Sequence, residues 1–248
     1  MGSSRLPGKV LKDICGYPML YWVVNRAAEA KLVDELIVAT TKDNSDNPIV
    51  EWCLEYDIKC FRGSTFDVLD RYYQTARNYR ADVIVRLTAD CPLIDPALID
   101  EVITVFFNKE VDFAANRLPP PYKRTYPIGL DIEVASFSAL EKAWHQAKLP
   151  FEREHVMPYL YSVKDRFTTI ILNAEKNYGD RRWTVDTPED LEFIRALFNK
   201  LNCCINFSWR EVLQTLDENP ELETINADVA HKSYRDIDSR STFKSRKE

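Results

Sequence analysis

With 248 residues, 45% of them hydrophobic, and a formal net charge of -6, the chain can bury one large core and carries an acidic surface. A nucleic-acid partner would call for a basic stripe, and a membrane span or leader for a long apolar run; neither is read here. The six cysteines show neither C-x-x-C pairing nor histidine at zinc spacing, so reduced thiols in a cytosol are expected.

The chain opens on "MGSSRLPGK". A glycine-containing loop with Arg5 and Lys9 can wrap a phosphate with backbone N–H groups and cations, but such loops normally hang from a strand, and none precedes this one. Taken alone it is a weak motif, and a solvated terminus with Gly8 making a turn before the first helix is the plainer reading, because short Gly-Lys strings are common. Met19, Leu20, Val23, Val24, Ala27 and Ala28 then recur with helical period, and "DELIVAT" is a short apolar run of strand type. The alternation continues through "NPIVEWCLEY" (helix), "IKCF" (strand), "FDVLDRYYQTARNY" (helix) and "DVIVRLT", Asp82 to Thr88 (strand). Asp95-Pro96 caps a helix through "ALIDEVITVFF", and "VDFAAN" is the next strand. "RLPPPYKRTYPIG" breaks the rhythm as a proline-rich basic loop. "LDIEVA" (strand), "FSALEKAWHQA" and "EREHVMPYLYSV" (helices), "FTTIILNA" and "RRWTV" (strands), and a helix from Pro188 to about Leu201 follow. Strands alternating with helices predict an α/β domain with a mostly parallel sheet covered on both faces, spanning residues 1–226 and followed by a polar tail, 227–248.

In such a sheet, ligands gather beyond the carboxyl ends of the strands. Asp90 lies two residues past one strand and is spare, because Asp95 already caps the next helix. Asp186 is left between a strand end and the Thr187 cap, where Pro188 and Asp190 complete the helix start. Two strand-end carboxylates could share a hard cation such as Mg²⁺, which binds through a few carboxylates and substrate phosphates. Gly63 and Ser64, with Arg62 and Arg71 nearby, precede a helix N-terminus and form a second candidate anion or base site, or an ordinary strand-to-helix connection. Cys91 reads as a small buried residue rather than a nucleophile.

Read in order, "SSRLPGKVL", "RGSTFDVLDRYY", "RLTADCPLIDP", "RTYPIGLDIEV", "EREHVMPYLY" and "WTVDTPEDLEFIR" resemble the SpsF-type cytidylyltransferases of spore-coat polysaccharide synthesis. These are relatives of the CMP-KDO and acylneuraminate cytidylyltransferases. The resemblance implies a Rossmann-like three-layer α/β/α nucleotide-diphospho-sugar transferase fold. It also implies transfer of CMP from CTP to an acidic sugar with release of pyrophosphate. Asp90 and Asp186 would hold Mg²⁺, while Lys9 and Arg5 would bind the triphosphate with Gly2, Ser3, Ser4 and Gly8 of the same loop. Gly63, Ser64, Asp67 and Arg71 would lie by the base and ribose, and Arg86 would support Asp90.

On the acceptor side the resemblance suggests Lys123, Arg124, Tyr126, Asp131, Glu133 and His155. Lys123 and Arg124 read equally as a solvated loop, and Asp131 and Glu133 as an edge face in water. For His155 a contact between helices is the plainer reading. Family members carry an apolar strand ahead of the first loop, so a sheet lacking its first strand is expected, from a late start codon or a fragmentary gene. That leaves open a non-catalytic nucleotide- or partner-binding remnant. A GT-A-like glycosyltransferase would show Asp-x-Asp at the strand end, which "ADCP" lacks. Relatives suggest a homodimer.

Overall fold

The computed structural model describes residues 1–119 and 122–230. After a 3-10 turn at Lys9–Leu11, a small hairpin pairs β1 (Asp13–Ile14) with β2 (Tyr17–Pro18) and feeds α1 (Met19–Ala28). There follow β3 (Ile37–Thr41), α2 (Asn47–Glu55), β4 (Lys59–Gly63), α3 (Val68–Asn78), β5 (Val83–Arg86), α4 (Pro96–Asn108), β6 (Phe113–Ala115) and β7 (Glu133–Ser136). The second half continues with α5 (Phe137–Gln146), α6 (Pro150–His155), α7 (Pro158–Tyr161), β8 (Thr169–Ile171), α8 (Pro188–Lys200) and α9 (Trp209–Glu218).

The helix starts follow their capping chemistry. Asp95 Oδ1 accepts from the Leu98 amide ahead of Pro96, and Thr187 and Asp190 form a reciprocal capping box on α8. Valine, isoleucine and leucine at helical spacing on α1, α4, α8 and α9 face one core that includes Trp22, Ile99, Val102, Phe193, Leu197 and Leu216. Arg26 crosses this core and donates to the carbonyls of Ile94 at 2.7 Å and Phe207 at 2.8 Å, stitching α1 to the loops before α4 and α9. Burial without a carboxylate in contact lowers its pKa to about 10.

The sheet is more mixed than the alternating pattern predicts. β3 and β4 are parallel, and so are β6 and β8, but β7 runs antiparallel to both β5 and β6. Two hydrogen-bonded groups result, β3-β4 and β5-β7-β6-β8. Among its described residues the proline-rich segment between β6 and β7 holds no crossover helix, and β7 accordingly runs back alongside β6 in the reversed direction.

"RRWTV" is not a strand: its one ladder contact is an isolated bridge between Ile128 and Arg182. "EREHVMPYLYSV" is two short helices, broken where Val156 takes φ 72 before Pro158. The expected tail begins inside the described residues, and 231–248 lie outside them. Among the described residues no helix is long and apolar enough to cross a membrane.

The thiols also depart from expectation, since Cys15 and Cys203 are joined as a disulfide with Cα atoms 5.9 Å apart, an ordinary span for such a bond. The hairpin turn and the end of α8 meet there, 188 residues apart in sequence. Cys91 is buried, as read from the sequence.

Candidate active site

The strand-end acids come together. Lys9 Nζ donates to Asp90 Oδ2 at 2.7 Å, to Asp186 Oδ1 at 2.9 Å and to the Val185 carbonyl at 2.8 Å. Arg5 Nη2 lies 2.9 Å from Asp186 Oδ2. The loop that holds both cations turns at Gly8, whose φ of 68 suits a residue without Cβ. Ser3 accepts from the Leu6 amide inside the loop.

Position and charge are both enforced. The Val185 amide donates to the Asp90 carbonyl at 2.9 Å, and the Thr184 hydroxyl does so at 3.2 Å, so the two acidic segments are clamped side by side. Burial alone would lower the Lys9 ammonium, but Asp90 and Asp186 outweigh it and raise its pKa. Burial likewise opposes ionisation of Asp90 and Asp186, and the Lys9 charge overrides it and lowers both. Each carboxylate remains about a quarter exposed, at 24% and 23%, so a ligand can reach them.

Behind Asp186 stands a group the sequence reading missed. Arg182 donates to Asp190 Oδ1 at 2.9 Å and Oδ2 at 2.8 Å and to Asp186 Oδ2 at 3.0 Å. Asp190 is fully buried, accepts from the Asp186 and Thr187 amides, and receives Asn226 Nδ2 at 2.9 Å. An arginine four residues ahead of Asp186 was the available signal. Gly129 also lies against this segment: with φ 108, a Cβ there would sit 2.7 Å from Thr184 N.

The base-side residues divide. Gly63 has a clear reason to lack a side chain, because a Cβ would meet Arg71 Cγ at 2.7 Å. Arg71 donates to the Ser64 carbonyl at 2.6 Å, and Ser64 Oγ accepts from the Asp67 amide. Asp67 itself caps α3 and is gripped by Arg153 at 2.5 to 3.0 Å, a pairing not read from the sequence. Asp46 was also missed. It accepts from the Met1 amino group at 2.5 Å, the Thr40 hydroxyl at 2.8 Å and the Thr41 amide at 3.1 Å.

The acceptor-side expectations need correction. Tyr126 is core, with its ring against Trp209, and burial pushes its hydroxyl up to about 12. The acidic face of β7 is neither in water nor an open hydroxyl-binding wall. Glu133 is buried and pairs with Arg86 and Arg117, while Asp131 pairs with Arg117 and Arg124. Thus Arg86 supports β7 rather than Asp90. Lys123 is exposed beside Arg124, and His155 ends α6 next to the Arg153–Asp67 pair.

A cytidylyltransferase family profile matches residues 1–222. The chain belongs to the cytidylyltransferase family. It is 31% identical over 231 residues to the spore coat polysaccharide biosynthesis protein SpsF of Bacillus subtilis, covering 90% of this chain and 93% of that one. A shorter stretch of 101 residues is 39% identical to the 3-deoxy-manno-octulosonate cytidylyltransferase of Geobacter sulfurreducens, covering 41% of this chain and 40% of the relative. The structure of a cytidylyltransferase from Leptospira borgpetersenii superposes with a TM-score of 0.85 at 32% identity, covering 93% and 95% of the two chains. The Rossmann-like α/β nucleotidyltransferase fold and the SpsF-type relationship are therefore established for this cytidylyltransferase. The alternative of a non-catalytic remnant has no support: the family match runs through both acidic segments, and the loop, Asp90 and Asp186 assemble into one site.

Proposed function

We propose that this cytidylyltransferase moves CMP from CTP to a hydroxyl of an acidic sugar, releasing pyrophosphate, as an activation step in surface polysaccharide synthesis. The observation that carries the reading is the convergence of Asp90 and Asp186 on the Lys9 ammonium, with Arg5 alongside. Nucleotidyl transfer needs alignment and charge neutralisation more than covalent catalysis, and this cluster supplies both. The printed names of the relatives, one a spore-coat polysaccharide protein and one a 3-deoxy-manno-octulosonate cytidylyltransferase, support the sugar class.

Asp90 and Asp186 also suit Mg²⁺. Their donor set is two hard carboxylates, both ionised and both partly open, the kind of pair Mg²⁺ uses together with substrate phosphates. When bound, the ion would supply Lewis-acid activation of the attacking hydroxyl and charge neutralisation at the α-phosphate. Lys9 and Arg5 bind the triphosphate and offset the charge that develops on departing pyrophosphate. We assign Gly2, Ser3, Ser4 and Gly8 of the same loop to the phosphate side of the nucleotide. Arg182 and Asp190 hold Asp186 in the orientation this requires. Lys123 and Arg124 lie on the loop we assign to the acceptor.

The test is a pyrophosphate-release assay with CTP, Mg²⁺ and either 3-deoxy-manno-octulosonate or N-acetylneuraminate, with ATP, GTP and UTP in parallel and the sugar nucleotide identified by mass. CMP-sugar formation with CTP alone among the nucleotides is expected. Turnover of another nucleotide in preference to CTP, or no sugar nucleotide with any acidic acceptor, would overturn the reading.

A further inference from the structure

The Lys9 ammonium is fully occupied by the protein itself. Its three N–H donors go to Asp90 Oδ2 at 2.7 Å, the Val185 carbonyl at 2.8 Å and Asp186 Oδ1 at 2.9 Å. A lysine so placed has no donor left for a phosphate. It also sits on one oxygen of each carboxylate in the pair that suits Mg²⁺. The same group is thus unready for the nucleotide and seated where a bridging ion would find its ligands.

The cations of the cluster fall into two kinds. Arg182 is fixed: its side chain is 7% exposed, and two bonds to the buried Asp190 hold it while it reaches Asp186 Oδ2. Lys9 and Arg5 are the movable ones. Arg5 is 29% exposed and meets Asp186 Oδ2 through Nη2 at 2.9 Å. Lys9 reaches the carboxylates on a flexible four-carbon stem, whereas its backbone is anchored by the Lys9 amide on the Leu6 carbonyl at 3.2 Å and the Leu11 amide on the Gly8 carbonyl at 3.0 Å. The ammonium can therefore swing without moving the loop.

Charge makes an exchange even. Asp90 and Asp186 carry two negative charges, which Lys9 and Arg5 match, and one divalent ion would match them equally well. Both cannot take the shared oxygens, because Mg²⁺ draws its ligands in to about 2.0–2.1 Å and repels an ammonium lodged against the same pair.

Resting on the reading of Asp90 and Asp186 as metal ligands, we propose that Lys9 is an exchangeable internal cation. It holds the two carboxylates until a nucleoside triphosphate and its metal arrive, yields those oxygens to the metal and carries its charge over to the phosphates. Metal and nucleotide then bind as a coupled pair, each raising the other's affinity by the same factor. Metal alone has to displace a tethered ammonium that gains no new partner, and metal-free CTP meets a lysine whose bonds are already made. Arg182 keeps Asp186 in place throughout.

Mn²⁺, which shares with Mg²⁺ the preference for octahedral oxygen ligands, is the probe, and its binding to the nucleotide-free protein is followed by electron paramagnetic resonance. Lys9→Met is expected to bind Mn²⁺ at least about tenfold tighter than the parent, and adding Asp90→Asn should abolish the gain. CTP in EDTA should bind the parent at least about tenfold more weakly than CTP with Mn²⁺, and this difference should shrink in Lys9→Met. Should Lys9→Met fail to fold, the parent gives a second reading. Acetylation of Lys9 by acetic anhydride, followed by peptide mass spectrometry, is expected to quicken several-fold at saturating Mn²⁺ and to slow again when CTP is added. Equal Mn²⁺ affinity of parent and Lys9→Met, lost in both on Asp90→Asn, would overturn the exchange while leaving the metal site standing. So would labelling of Lys9 that saturating Mn²⁺ leaves unchanged. Mn²⁺ binding that is indifferent to Asp90→Asn, with CTP or without it, would remove the metal reading and the exchange together.

Discussion

Lys9 and Asp186 are 177 residues apart in sequence and share a hydrogen bond of 2.9 Å, with Asp90 on the other side of the same ammonium at 2.7 Å. A loop at the front of the chain and a helix start near its end thus depend on each other. The arrangement holds two carboxylates ionised and close together, a repulsive pair that only a cation makes tolerable.

Replacing Asp90 or Asp186 with alanine is expected to lower pyrophosphate release from CTP by at least about 100-fold, the scale seen when a transition-state charge loses its partner. Far-UV circular dichroism and Tm, measured beside the assay, should show that the fold persists. Undiminished turnover in both variants would remove these residues from the chemistry.

Lys9→Met leaves Asp90 and Asp186 facing each other without their shared cation. The variant should melt earlier than the parent in metal-free buffer, and millimolar Mg²⁺ should recover more Tm for it than for the parent. Thermal melts with and without EDTA provide the check. An equal response of both proteins to Mg²⁺ would argue against a metal position between these carboxylates.

Asp190 sets an acid limit on stability. Burial would raise its pKa, but the Arg182 and Asn226 hydrogen bonds and the backbone amides override it and hold the value below 3.8. Since the folded value is lowered, its contribution is fully present above about pH 4 and is lost as the pH falls through that lowered value. Asp190→Asn should cost about 3 kcal/mol at pH 7, because Arg182 keeps its charge in a buried site. Urea midpoints from pH 7 down to pH 2 should show the gap between variant and parent narrowing on the acid side.

Gly129→Ala forces a side chain into φ 108 and against the backbone of Trp183 and Thr184 at 2.7 Å. A loss of about 2–3 kcal/mol is expected from strain and overpacking together. Because that backbone runs into Asp186, activity should fall further than the stability loss alone explains, as read from kcat at a temperature where the variant is fully folded.

The Cys15–Cys203 bond closes a loop with a sequence separation of 188. Loop-closure entropy sets a ceiling of about 5 kcal/mol on its contribution, and Cys203→Ser should lower Tm by no more than about 20 °C. Thermal melts of parent and variant with and without dithiothreitol measure this, since the reductant should shift only the parent.

The two acids of the site could be read from sequence because local chemistry left them without another task. Asp95 had already capped α4, and Thr187 and Asp190 had already capped α8, so Asp90 and Asp186 stood over at the ends of apolar runs. The direction of β7 could not be read, because a period of two residues is the same whichever way a strand runs. Nor could the fate of Asp131 and Glu133, whose partners Arg86, Arg117 and Arg124 are brought to them by pairing between β5, β6 and β7. Tyr126 was placed with the acceptor contacts through the resemblance and its position in the proline-rich loop, where nothing local in the sequence marks it as buried. The Trp209 ring that buries it belongs to a helix that the reading did not find.

Asn226 closes the circuit from the far end of the described chain: its side-chain amide spans the Arg182 carbonyl and Asp190 Oδ1. What looks like the margin of the domain is in contact with the support of a reactive carboxylate. An expression boundary or cleavable tag placed before residue 226 would therefore disturb chemistry and not only solubility.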